Sequence, residues 1–356
     1  MSGRRSSSLL SSFVAMSLCL LSASAAAAAT IADDTAYTQY NNAIAMIQAG
    51  RAAEGTSLLD SLSRDTGADP IVAALRDQAN ISLGYHYLRT HQGAAAIPVF
   101  ARVRSPGPCA SRALLGLGWA LMAPPGTRSG NDPWRAMPTS SSTIGSALRP
   151  RLTEDIAALR RRMPYRLQAG TPDEQHALQL ALVPWMELIG RDPLDAAVQE
   201  GMLAIPYAFD HLGAHQEARD YYGRAITLLE RSQRQLGDAL AQVSEGRLAA
   251  RVGGEAPAGA KWWLALLPGA RWWVDDTLPE TFYFERLIED QDFRDAAELF
   301  RSAVQAGADA GPERSRLDAA ATAALRRMQL QTGRYLGLAH FALARIYDQP
   351  VEAATR

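Results

Sequence analysis

The strongest constraint on this chain is a recurrence. Leu83-Gly84 returns as Leu117-Gly118, 34 residues later. Between the two lie Tyr87, Ala96, Phe100 and Pro108, at 3, 12, 16 and 24 residues after Gly84. Residue types that recur at a fixed period predict units that bury the same face against their neighbours. A glycine on the first helix of a unit lets the second helix approach closely. Ala96 is then the small residue of the second helix at that crossing. Tyr87 and Phe100 fill the space between helices, and Pro108 ends the second helix. One such unit cannot bury its own apolar face, so further units must stack on it.

On these residues, Leu83, Gly84, Tyr87, Ala96, Phe100 and Pro108, with Leu117 and Gly118 opening the next period, the stretch resembles the tetratricopeptide repeat family. The resemblance implies an all-α solenoid of helical hairpins, here with a loop insertion and a long coiled-coil-like helix. In the family the stacked first helices line a groove that takes an extended peptide or a partner helix. The implied role is to hold proteins or peptides. The chain departs from the family at Gly55, where alanine is usual, at a split third repeat, and at Pro206.

The organisation follows from the breakers. Residues 1–29 read as a signal peptide and 30–122 as two repeats and the first helix of a third. An irregular insertion covers 123–172, and 173–252 hold the rest of the third repeat, a fourth and an extended helix. A Trp-rich linker covers 253–279, and helical hairpins fill 280–356. The first repeat, Ala36 to Asp65, turns at Gly50-Arg51. The second helix of the third resumes at Gln175, where Ala181, Trp185, Leu188 and Pro193 keep the mutual spacing of Ala96, Phe100, Val103 and Pro108. The fourth repeat turns at Leu212-Gly213 and carries Ala218, Tyr222 and Ala225 on its second helix, while Pro206 is expected to kink or interrupt its first. Leu229, Leu236 and Val243 recur every 7 residues and extend that second helix to about Ala250. Its expected partner is the Ala-rich stretch Leu317 to Leu330. Asp292-Phe293, Ala296, Phe300 and Ala303 predict another hairpin, and Gly333 to Tyr347 a terminal capping helix.

Arg4 and Arg5 precede an apolar run, Leu9 to Leu21, too short to span a bilayer comfortably, and Ser22 to Ala29 are all small. The pattern predicts export to a bacterial periplasm with cleavage near Thr30, an uncleaved anchor being the alternative. Ser6 to Ser8 disfavour twin-arginine export, and Leu18 before Cys19 disfavours a lipoprotein. Cleavage leaves Cys109 alone, so no intrachain disulfide forms, and a buried small residue at a helix start is expected there. The net charge of −1 over 356 residues supplies no global field for nucleic acid or an anionic membrane.

No G-x-S-x-G, H-E-x-x-H, P-loop, C-x-x-C or dinucleotide turn occurs. No catalytic residue, cofactor or metal is therefore expected. His211 and His215 lack a third ligand, and Glu285, Glu289, Asp290, Asp292 and Asp295 read as a solvated face. The candidates for partner binding are Trp134 and Arg160, Arg161 and Arg162 in the insertion, with the pairs Trp262-Trp263 and Trp272-Trp273. The reading is a non-catalytic scaffold that holds an envelope protein or peptide, with membrane contact allowed but not required. Its rivals are an envelope enzyme with its site in the insertion, and a glycan- or solute-binding protein using the tryptophan pairs.

Overall fold

Helix ends in this protein are set by a few glycines and buried carboxylates. The computed structural model describes residues 35–64, 70–123, 143, 144, 148, 167–253 and 281–348. Among these the fold is all-helical, and a single isolated bridge between Arg104 and Thr143 is the only β pairing. Helix α1 spans 35–48. It is followed by α2 (Ala52–Ser63), α3 (Pro70–Arg89), α4 (Gly93–Ala101), α5 (Ala110–Met122), α6 (Pro172–Ile189) and α7 (Ala196–His211). Then come α8 (His215–Ser244), α9 (Arg247–Val252), α10 (Thr281–Glu289), α11 (Gln291–Gln305) and α12 (Gly311–Asp348). The chain forms two units, one holding α1 to α5 with α6 as far as Glu187, the other Tyr165–Gly170 and everything from Leu188.

In the first unit α2 packs on α3, and α3, α4 and α5 pack on one another. Ala43, Leu59, Leu62, Leu75, Ala79, Leu83 and Val99 form one apolar cluster. Gly50 takes φ +82° in the α1–α2 turn, a conformation glycine adopts without cost. Gly55 has a second reason. A Cβ there would lie 2.6 Å from the Ala43 carbonyl oxygen, so the helix pair closes more tightly than alanine allows. Pro108 does not end α4, which stops at Ala101. The chain is diverted earlier because Asp77, fully buried on α3, accepts from the Arg104 Nε at 2.6 Å and the Arg104 backbone N–H at 3.3 Å. Helix α6 starts before Gln175, at Pro172. Thr171 and Glu174 form a reciprocal cap, with Thr171 N–H donating to Glu174 Oε2 at 2.7 Å and Glu174 N–H to Thr171 Oγ1 at 3.3 Å.

In the second unit α7 runs through Pro206 without interruption, from an Asp195 cap to Leu212. Ile205, Pro206 and Phe209 are all buried there, so the ring serves as apolar surface and packing offsets the missing N–H. Helix α8 ends at Ser244 rather than near Ala250, because Gly246 turns into the left-handed region at φ +78° with the Arg314 guanidinium against it. Before that break α8 buries Ala218, Tyr222, Ala225, Leu229, Ser232, Leu236, Ala239 and Val243, alternating steps of four and three residues. The stripe faces α12, the longest helix at 38 residues, with α7 and α11 also packed on α12. There is no separate terminal helix from Gly333. Leu325, Thr332, Ala339 and Ile346 are buried at intervals of seven on one continuous helix.

Two glycine substitutions separate packing from propensity. Gly55→Ala is expected to cost about 1–3 kcal/mol by overpacking. Gly223→Ala, with nothing within 4 Å of the added methyl, is expected to stabilise by about 0.8–1 kcal/mol. Denaturant unfolding of both variants checks the pair.

Candidate functional site

Two helix crossings in the first unit each set an aromatic ring against a glycine. Gly84 on α3 lies under the Phe100 ring of α4, where a Cβ would meet ring carbons at 2.6 Å. Gly118 on α5 lies under the Trp185 ring of α6, where a Cβ would meet Nε1 at 2.0 Å. The residue after each glycine is aromatic and meets the same ring edge-on. Tyr85 and Phe100 stand 5.2 Å apart at 79°, Trp119 and Trp185 5.0 Å apart at 73°. Trp185 also donates its indole N–H to the Leu115 carbonyl at 3.3 Å, which satisfies the polar atom of a fully buried ring. Tyr85 and Trp119 carry a signal that a search for glycine–aromatic spacing alone misses.

The other predicted repeat positions are distributed as follows. Leu83, Ala96, Leu117 and Ala181 are fully buried, Tyr87 is half-buried, and Pro108 is exposed in the loop after α4. In the second unit Ala218 and Tyr222 sit in the α8 stripe, and Ala296 and Phe300 are buried on α11. Trp134, Arg160, Arg161, Arg162, Trp262, Trp263, Trp272 and Trp273 lie outside the described residues, as does the leader. Cys109 is buried just before α5, its Sγ 3.7 Å from Gln78 Oε1, and burial pushes the thiol up.

The second unit holds its charges in arginine–carboxylate groups. Asp210, at the end of α7, accepts from Arg345 Nη2 at 2.9 Å and lies 2.8 Å from His215 Nδ1. Burial, with Asp210 nearby, pushes the Tyr222 hydroxyl up to about 12. His211 instead stacks on Tyr207, so the two histidines share no ligand. Arg286 bridges Asp192 at 2.8 Å, Asp195 at 3.8 Å and Glu289 at 2.9 Å. Asp290 caps α11 through the Phe293 N–H and pairs with Arg327, and Asp295 accepts from Gln291. These carboxylates are occupied in capping and ion pairs. Among the described residues no group of three His, Cys, Asp or Glu side chains is disposed to hold a metal.

An open groove of about 410 Å³ runs beside the end of α8, lined by Val243, Ser244, Asp318, Thr322 and Arg326 among others. Asp318 is its one carboxylate. Oδ1 is enclosed and accepts no hydrogen bond, while Oδ2 is 3.7 Å from Arg314 Nε. Burial raises the Asp318 carboxyl, and Arg314 only partly opposes this.

No family model matches the chain, and no curated protein or solved structure matches it either.

A carboxyl that titrates higher in the folded than in the unfolded state makes ionisation costly to the fold. The penalty grows as pH rises through the carboxylate range and vanishes below it. Asp318→Ala is therefore expected to raise Tm at pH 7, with the gain shrinking as pH falls toward about 4 and leaving the helix-propensity difference of roughly 0.7 kcal/mol or less below it. Thermal unfolding across that range measures it.

Proposed function

We propose that this chain is an exported, tetratricopeptide-like scaffold that holds a polypeptide partner in a bacterial cell envelope, without catalysis of its own. One observation carries the reading. The crossing of Gly84 with Phe100 spans 16 residues and that of Gly118 with Trp185 spans 67, yet both use a glycine, the aromatic after it, and a ring from the following helix. This supports a register in which residues 123–172 are inserted between two helices of one hairpin. Insertions of this kind map to loops on one face of a solenoid and serve binding. The leader-like residues 1–29 support export, and the arginine cluster and tryptophan pairs are the proposed contacts for the partner.

The test is fractionation of the cell that makes the protein, followed by affinity purification of the tagged full chain. Recovery in the periplasm with residues 1–29 removed, and a polypeptide retained in stoichiometric amount, is the expected outcome. Cytosolic recovery with the leader intact overturns the location. Purification without any polypeptide partner, combined with turnover of an envelope substrate lost on deleting the insertion, overturns the scaffold in favour of an enzyme.

A further inference from the structure

Helix α12 is amphipathic twice over. Its inner side is buried through Leu325, Thr332, Ala339 and Ile346. On its outer side Leu330 is 68% exposed, Leu338 55% and Phe341 70%. At 100° per residue, Arg326, Leu330, Arg334, Leu338 and Phe341 fall within about 120° of one another, opposite the buried row. Between Asp318 and Asp348 the sequence holds four arginines and no acidic residue. Arg327 and Arg345 are engaged with Asp290 and Asp210. Arg326 and Arg334 are exposed on α12. The formal charge of −1 for the whole chain hides this local excess of positive charge.

We infer that the outer face of α12 from Arg326 to Phe341 is a docking surface for an anionic lipid bilayer, on which the helix lies flat. The inference is independent of the repeat reading. Three features select the occupant. The face is the convex back of a single helix, and a protein helix needs a groove to settle into, whereas a bilayer deforms around protruding side chains. Arginine on a long aliphatic stem beside leucine and phenylalanine suits the boundary between headgroup and acyl chain, with the guanidinium reaching phosphate while the stem and ring stay apolar. A second copy of the chain is disfavoured by charge, since this face carries Arg326 and Arg334 and no acidic residue of its own to pair with them across a two-fold axis. The helix rests on the membrane rather than crossing it, as no described helix is long and apolar enough to span.

Vesicle flotation with the full mature chain tests this, using phosphatidylcholine vesicles with and without phosphatidylglycerol at low and high salt. The wild type is expected to float only with phosphatidylglycerol, and to be released by salt. Arg326→Gln with Arg334→Gln, and separately Leu330→Ser with Phe341→Ser, are each expected to lower the bound fraction about tenfold. All four positions are on the outer face, and unchanged thermal unfolding confirms that the variants are folded. Leu299→Ser, at a residue 50% exposed on α11, is the control and keeps full binding. No flotation of the wild type, or flotation that both double variants retain, overturns the inference. So does binding of a soluble acidic polypeptide such as polyglutamate in preference to the vesicles, lost in the same variants, which reassigns the face to a protein.

Discussion

The first unit rests on the approach of an aromatic ring to a bare stretch of helix backbone. Gly84 on α3 and Gly116 on α5 both leave room for the Phe100 ring, and Gly118 leaves room for the Trp185 ring. Fully burying a ring of this size is worth about 3–5 kcal/mol against alanine, a large share of the stability of any small helical unit. The edge-on partner, Tyr85 or Trp119, then fixes the rotation of the ring. Trp185 further ties α6 to α5 through its indole N–H, which donates to the Leu115 carbonyl.

The second unit solves a different problem. The α8 stripe is made largely of Ala and Leu, whose smooth surface lets one helix slide along another with little loss. Polar contacts at intervals remove that freedom. Gln199, fully buried on α7, donates to the Pro193 carbonyl and to Thr332 Oγ1, each at 2.9 Å, and Thr332 donates on to the Met328 carbonyl. Gln233 on α8 donates to the Gln329 carbonyl at 2.6 Å, and Arg345 reaches Asp210 at 2.9 Å. The bonds of Gln199 to Thr332, of Gln233 to Gln329 and of Arg345 to Asp210 are lost if α12 shifts by a turn, and buried groups without partners are expensive. The apolar stripe therefore supplies adhesion and the polar contacts supply register.

Features that depend on local spacing were legible in the sequence. The all-helical class followed from composition and period, and the seven-residue spacing of Leu229, Leu236 and Val243 identified the buried side of α8. Spacing alone sets Gly118 in register with Gly84 and Trp185 with Phe100, and Gly118 and Trp185 are in contact. What escaped depends on distant partners. The stop of α4 at Ala101 is dictated by Asp77, 27 residues upstream of Arg104. Gly333 looked like a helix start, yet its neighbours on α12 are held by α7 and α8. Pro206 looked like a break, and burial overruled it. The cap at Thr171 and Glu174 was local and was missed, because the apolar pattern begins only after it. The outer row of α12 was hidden for a further reason: a seven-residue period marks an inner face, and the sequence alone does not say whether the opposite face is covered.

The two aromatic crossings differ in sequence separation, and that difference bears on the time order of folding. Closing the Gly84–Phe100 contact joins residues 16 apart, and closing Gly118–Trp185 joins residues 67 apart. Loop-closure entropy grows only with the logarithm of length, so the longer loop costs the native state about 1.3 kcal/mol more. Rate responds more strongly than stability, because a contact of long sequence separation must be found before anything rewards it. The α3–α4 hairpin thus has every reason to form early and α6 to dock late. Until it does, α5 presents Gly118 and Trp119 without the Trp185 ring that packs on them.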